Sequence, residues 1–112
     1  MDPIKAAKNQ TLFRDVNERI KNFDDSNPET EFVCECARPE CQEMIAMSLD
    51  DYDEIRRVPT HFLVVANEGH VFLDVERIVE TRSGYWVVEK FGRSGIEAAK
   101  RDPRKNVAEA GL

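Results

Sequence analysis

Cys34, Cys36 and Cys41 lie close together in the run Phe32-Val33-Cys34-Glu35-Cys36-Ala37-Arg38-Pro39-Glu40-Cys41. Thiolates are zinc ligands, and three of them in so short a stretch supply most of a tetrahedral site. On a strand, side chains two residues apart share a face, so the Cys34 and Cys36 sulfurs can converge. Arg38-Pro39-Glu40 then folds the chain back and returns Cys41 to them. A histidine is the natural fourth ligand, and the chain has two, His61 and His70. His70 follows Gly69, whose backbone freedom helps present a ring to a metal. His61 adjoins Pro59 and enters the apolar run at Phe62, so strand alternation fixes its direction. His70 is the expected ligand, with His61, a carboxylate or water as the alternatives.

Other chemistry fits these residues less well. The thiols could be inert and buried beside Phe32 and Val33, because free cysteine packs as a small hydrophobe. An odd number of cysteines in a chain without an apolar leader argues against a disulfide framework. A Cys34–His70 nucleophilic dyad would need one activated thiol rather than three clustered ones. Asp50-Asp51-Tyr52-Asp53-Glu54 lacks the glycine and distal glutamate of a calcium loop and reads as an acidic helix start. Neither a phosphate-cradling glycine loop nor a nucleobase-deaminase signature occurs.

The site must be held by a small amount of structure. The chain has 112 residues, 41% of them hydrophobic and 34% charged, which fits one domain with a modest core. A structural metal compensates for such a core. Phe13, Val16, Ile20 and Phe23 recur at helical spacing and predict an amphipathic N-terminal helix, firm from Thr11 and stopped at residues 24–28. Asp2-Pro3 provides an N-cap and N1 pair for an earlier start. Strands are expected at Glu31–Cys36 and Met44–Met47. Ser48-Leu49-Asp50-Asp51 resembles a capping box, so a second short helix runs from Leu49 to about Arg57, with Tyr52 and Ile55 facing the core. Phe62–Val65 reads as a strand, and 75–80 with 85–89 as a hairpin turning at Ser83-Gly84. The fold class expected is α+β: residues 1–94 form a single domain, and 95–112 a flexible polar tail.

Charge limits the partners. The net charge is −6, with −5 across residues 31–57 and +2 across 93–112. Nucleic-acid binders carry a basic stripe around the reading element, because phosphate neutralisation supplies most of the affinity. Here the cysteine segment has the opposite sign, and only Lys100, Arg101, Arg104 and Lys105 could attract an anion. No apolar run is long enough to span a membrane.

Phe13-Arg14-Asp15-Val16-Asn17-Glu18-Arg19-Ile20, Phe32-Val33-Cys34-Glu35-Cys36, Phe62-Leu63-Val64, Gly69-His70, Val75–Glu80 and Val87–Lys90 together resemble a group of small uncharacterised bacterial proteins, mostly actinobacterial. The resemblance spans about residues 12–92. It implies Cys34, Cys36, Cys41 and His70 as the metal set, and it implies no activity. The resulting expectation is a cytoplasmic, zinc-stabilised module that binds another protein through its acidic stretch. The alternatives are a thiol- or zinc-dependent enzyme, and a zinc-knuckle nucleic-acid binder using the basic tail.

Overall fold

The computed structural model describes residues 2–23 and 29–104, without the Phe23 side chain. The expected stop at 24–28 and the end of the expected tail, 105–112, lie outside the described residues. The fold is α+β, with helix α1 (Pro3–Phe23), strands β1 (Thr30–Val33) and β2 (Met44–Met47), helix α2 (Leu49–Arg56), strand β3 (His61–Val65), a 3-10 turn (Glu68–His70), strands β4 (Glu76–Thr81) and β5 (Tyr85–Lys90), and helix α3 (Gly92–Lys100). β1 and β2 form an antiparallel pair, and a second antiparallel sheet runs in the order β3-β5-β4.

Local chemistry accounts for the element starts. The Asp2 carboxylate accepts the Ile4 and Lys5 amides at 3.0 and 3.4 Å, which caps α1 at its earlier start. The Ser48 hydroxyl accepts the Asp51 amide at 3.1 Å and caps α2, as the sequence led us to expect. Phe32, Ile45, Met47, Tyr52, Ile55, Phe62, Leu63, Val64, Val87 and Val88 form the main core together with Cys34 and Cys36. Phe32 and Tyr52 stack with ring centroids 4.3 Å apart.

Helix α1 buries the face expected of it only in part, with Ile20 packed against the core. Its inner face is Ala6, Ala7, Gln10, Thr11, Arg14 and Asn17, while Val16 is 37% exposed and Phe13 is half-buried. Small and hydrogen-bonding residues let α1 lie close against backbone. Arg14 is fully buried, donates to the carbonyls of Pro59 (2.7 Å) and Ala98 (2.8 Å), and lies over the Phe62 ring. Asn17 exchanges both hydrogen bonds with the Val33 backbone, at 2.8 and 2.9 Å, and so satisfies a strand from the side.

The flexible tail expected from Gly95 is corrected over its described part. Residues 92–100 form α3, which buries Ser94, Gly95 and Ala98, and Asp102 beyond it is buried too. Its Ser94 hydroxyl donates to the Val75 carbonyl at 3.0 Å. The buried Arg56 guanidinium donates to Asp102 at 2.6 Å and to Glu18 at 2.8 Å, which ties α2 to α1 and to the segment that follows α3. None of the described helices is long and apolar enough to cross a membrane.

Candidate metal centre

The cysteines occupy a loop rather than a strand. β1 ends at Val33, and Cys34–Cys36 continue as extended chain laid along β3. The Glu35 amide donates to the Leu63 carbonyl at 2.8 Å, and the Glu35 carboxylate accepts the Leu63 amide at 3.1 Å. On the other side the Cys34 amide donates to the Glu43 carbonyl at 2.9 Å, which extends the β1–β2 pairing. A tight turn with the Cys41 amide donating to the Arg38 carbonyl (3.1 Å) brings Cys41 back.

His70 reaches the loop from the 3-10 turn. Asn67 caps that turn, its side chain accepting the Gly69 amide at 2.7 Å. Gly69 does not supply the unusual backbone conformation that the sequence reading gave it. Among the described residues only Gly84 and Gly92 have positive φ. What glycine provides here is room: a Cβ would stand 3.2 Å from the Asn67 side-chain oxygen.

Cys34, Cys36, Cys41 and His70 converge, with donor atoms all within 4.8 Å of one another. His70 Nδ1 lies 3.6 Å from both the Cys34 and Cys41 sulfurs. Zinc bonds of about 2.3 Å to sulfur and 2.0–2.1 Å to nitrogen, at the tetrahedral angle, place S and N roughly 3.6 Å apart. The donor set and its spacing therefore fit a four-coordinate metal closed by protein ligands. Each sulfur also accepts a backbone amide: Val65 to Cys34 at 3.4 Å, Arg38 to Cys36, and Glu43 to Cys41. Three such donors offset the charge that three thiolates concentrate.

The thiols are unequal. The Cys34 hydrogen bond holds the Cys36 thiol down to about 5 against the effect of burial, with the Arg38 amide and His70 helping. Cys34, which gives that hydrogen bond and is itself buried, is pushed up. Burial also raises Cys41, the most accessible of the three.

His61 stands elsewhere. As the first residue of β3 it pairs across the sheet with Glu89, and its Nε2 lies 3.1 Å from that carboxylate. It is not one of the converging residues.

Residues that the sequence reading passed over hold the loop in place. Gln10 donates to the Glu35 carbonyl at 3.1 Å, Asn9 to the Ala37 carbonyl at 3.2 Å, and Asn17 to the Glu35 carboxylate at 2.8 Å. Burial pushes the Glu35 carboxyl up to about 7, opposed by the Asn17 hydrogen bond, the Arg56 charge and the Leu63 amide. Next to this group Lys90, fully buried, donates to Glu76 at 3.0 Å and to Gln10. Gln10, Arg14 and Asn17 are spaced four and three apart, a helical period in polar residues that was present in the sequence.

Comparison with models of known families, with curated proteins and with solved structures finds no match.

Proposed function

We propose that this chain is a zinc-stabilised protein-interaction or regulatory module of the bacterial cytoplasm, with Cys34, Cys36, Cys41 and His70 as ligands. The observation that carries the reading is the 3.6 Å spacing from His70 Nδ1 to two sulfurs, the edge length of a zinc tetrahedron. Four protein ligands leave no open position for substrate or water, which weighs against a zinc hydrolase. Two of the basic groups past Gly95 are engaged in the fold: Arg101 pairs with Glu97, and Arg104 with Glu18 and Asp53. That weighs against a nucleic-acid contact through this segment. The exposed carboxylates of the acidic stretch 31–57, Glu31, Glu43, Asp50 and Glu54 among them, are the groups suited to a basic protein partner.

Native mass spectrometry of untagged protein tests the metal, with thiols counted before and after chelation. One zinc per chain and three thiols unmasked on chelation are expected. Metal-binding energy is also folding energy, on the order of 10–16 kcal/mol for structural zinc, so chelation should loosen the domain reversibly. Trp86 fluorescence and circular dichroism follow that change. Unchanged spectra after complete metal loss would reject a structural site.

A further inference from the structure

The two edges of the three-stranded sheet are treated differently. β3 is flanked by the Cys34–Cys36 loop, which takes the place of a neighbouring strand. Beyond β4 no described strand pairs. β4 also exposes adjacent apolar residues, Ile78 at 38% and Val79 at 43%.

The register of β4 has a consequence for self-pairing. Ile78 pairs with Val88 and Glu80 with Val87, so Val79 is an extra residue, a bulge. In an unbroken strand Arg77 and Glu80, three apart, would face opposite sides. Here Arg77 stands opposite Glu89 and Glu80 opposite Val87. Glu89 and Val87 are two apart on β5 and share a face, so the bulge brings Arg77 and Glu80 to the same side. Two antiparallel copies of an edge strand are related by a two-fold axis perpendicular to the sheet, which preserves faces. Only residues on a common side can then stand opposite one another. An axis between Ile78 and Val79 places Arg77 of each copy opposite Glu80 of the other, with the apolar pair of each copy meeting at the centre.

We propose that β4 is a homodimerisation edge: two copies pair through it, antiparallel, in the register that sets Arg77 against Glu80 twice. The joined sheet has six strands, an ordinary number. Arg77 is bonded to Glu89 and Glu80 to Arg82 in the single chain, but these are exposed ion pairs that contribute little. Sharing them with a second copy therefore loses little.

Sedimentation equilibrium of the full chain over a wide concentration range tests this, at a salt concentration that screens the net charge. Wild type should self-associate to a dimer. Arg77→Glu and Glu80→Arg should each weaken association by about tenfold or more, since each sets like charges opposite one another. An equimolar mixture of the two single variants should recover it as a heterodimer, because both cross-strand pairs are then complementary while each chain keeps the contacts with Glu89 and Arg82 that it has alone. Circular dichroism of each variant checks that the fold is retained. A protein that is monomeric at every concentration would overturn the proposal and give the bulge and charges the opposite task, keeping the edge apart. Association that ignores both single variants would place the interface elsewhere. Single variants that weaken association without recovery in the mixture would reject this register.

Discussion

His70 and His61 are the same side chain in two settings, and the settings make their substitutions behave differently. His70 turns Nδ1 toward two sulfurs, whereas His61 lies against Glu89 on the sheet. His70→Ala should lower zinc affinity by well over the tenfold expected from damage beside a ligand, and His61→Ala should leave it unchanged. Competition with a chromophoric chelator measures both, and equal retention would remove histidine from the site. Tyr52 offers a residue-scale test of a different kind. Its ring is fully buried against Phe32, yet its hydroxyl has no hydrogen-bond partner among the described residues. A buried, unpaired polar group costs roughly 1–3 kcal/mol, so Tyr52→Phe should stabilise by about 1 kcal/mol. In a domain of this size that is a rise of about 4–8 °C in melting temperature. A fall would mean that the hydroxyl is satisfied after all.

At the level of elements, α3 yields the clearest test. A glycine-to-alanine change in an exposed helix gains about 1 kcal/mol, since alanine is the better helix former. At Gly95 an added Cβ would stand 2.8 Å from the Lys90 carbonyl oxygen, a backbone atom of β5 that cannot swing aside. Crowding of this kind costs about 1–3 kcal/mol, so Gly95→Ala should lower the midpoint of urea unfolding. The same glycine explains why α3 was illegible in the sequence. The sequence reads as a polar tail from residue 95, but Gly92 enters the helix at φ 59° and Gly95 allows the close approach. Strands β2 to β5 and helix α2 were legible because apolar and turn residues mark them directly. The burial of α1 was not, because its contacts are hydrogen bonds from Gln10, Arg14 and Asn17 to backbone, which a search for apolar periodicity passes over. The four residues that converge were legible in Cys34-x-Cys36-x4-Cys41 and Gly69-His70. The loop geometry was not, because β1 ends one residue before Cys34.

On the scale of the whole molecule, Glu18 joins segments far apart in the chain. It accepts hydrogen bonds from Arg56 on α2 and from Arg104 beyond α3. Burial opposes its charge, but the bonds from Arg104 and Arg56 hold its carboxyl below the ordinary value of 4.5. A depressed carboxyl contributes stability that is present above its unfolded value and lost as pH falls through its lowered folded value. Stability should therefore drop on acidification below about pH 4.5, and Glu18→Gln should be less stable at neutral pH with a shallower acid limb. Denaturant midpoints between pH 3 and 7 compare the two, and parallel profiles would remove Glu18 from the acid response.

The loop that carries three of the ligands is also the cover of β3, through Glu35 and Cys34. With zinc at the proposed site, metal supply and sheet protection would be one property in this chain. A cell short of zinc would lose the shield on an apolar strand, Phe62-Leu63-Val64-Val65, which without it is a template for other chains to add to. The first sign of starvation would then be clumping of freshly made protein, and the ligands would act as solubility determinants during synthesis as much as in the finished molecule.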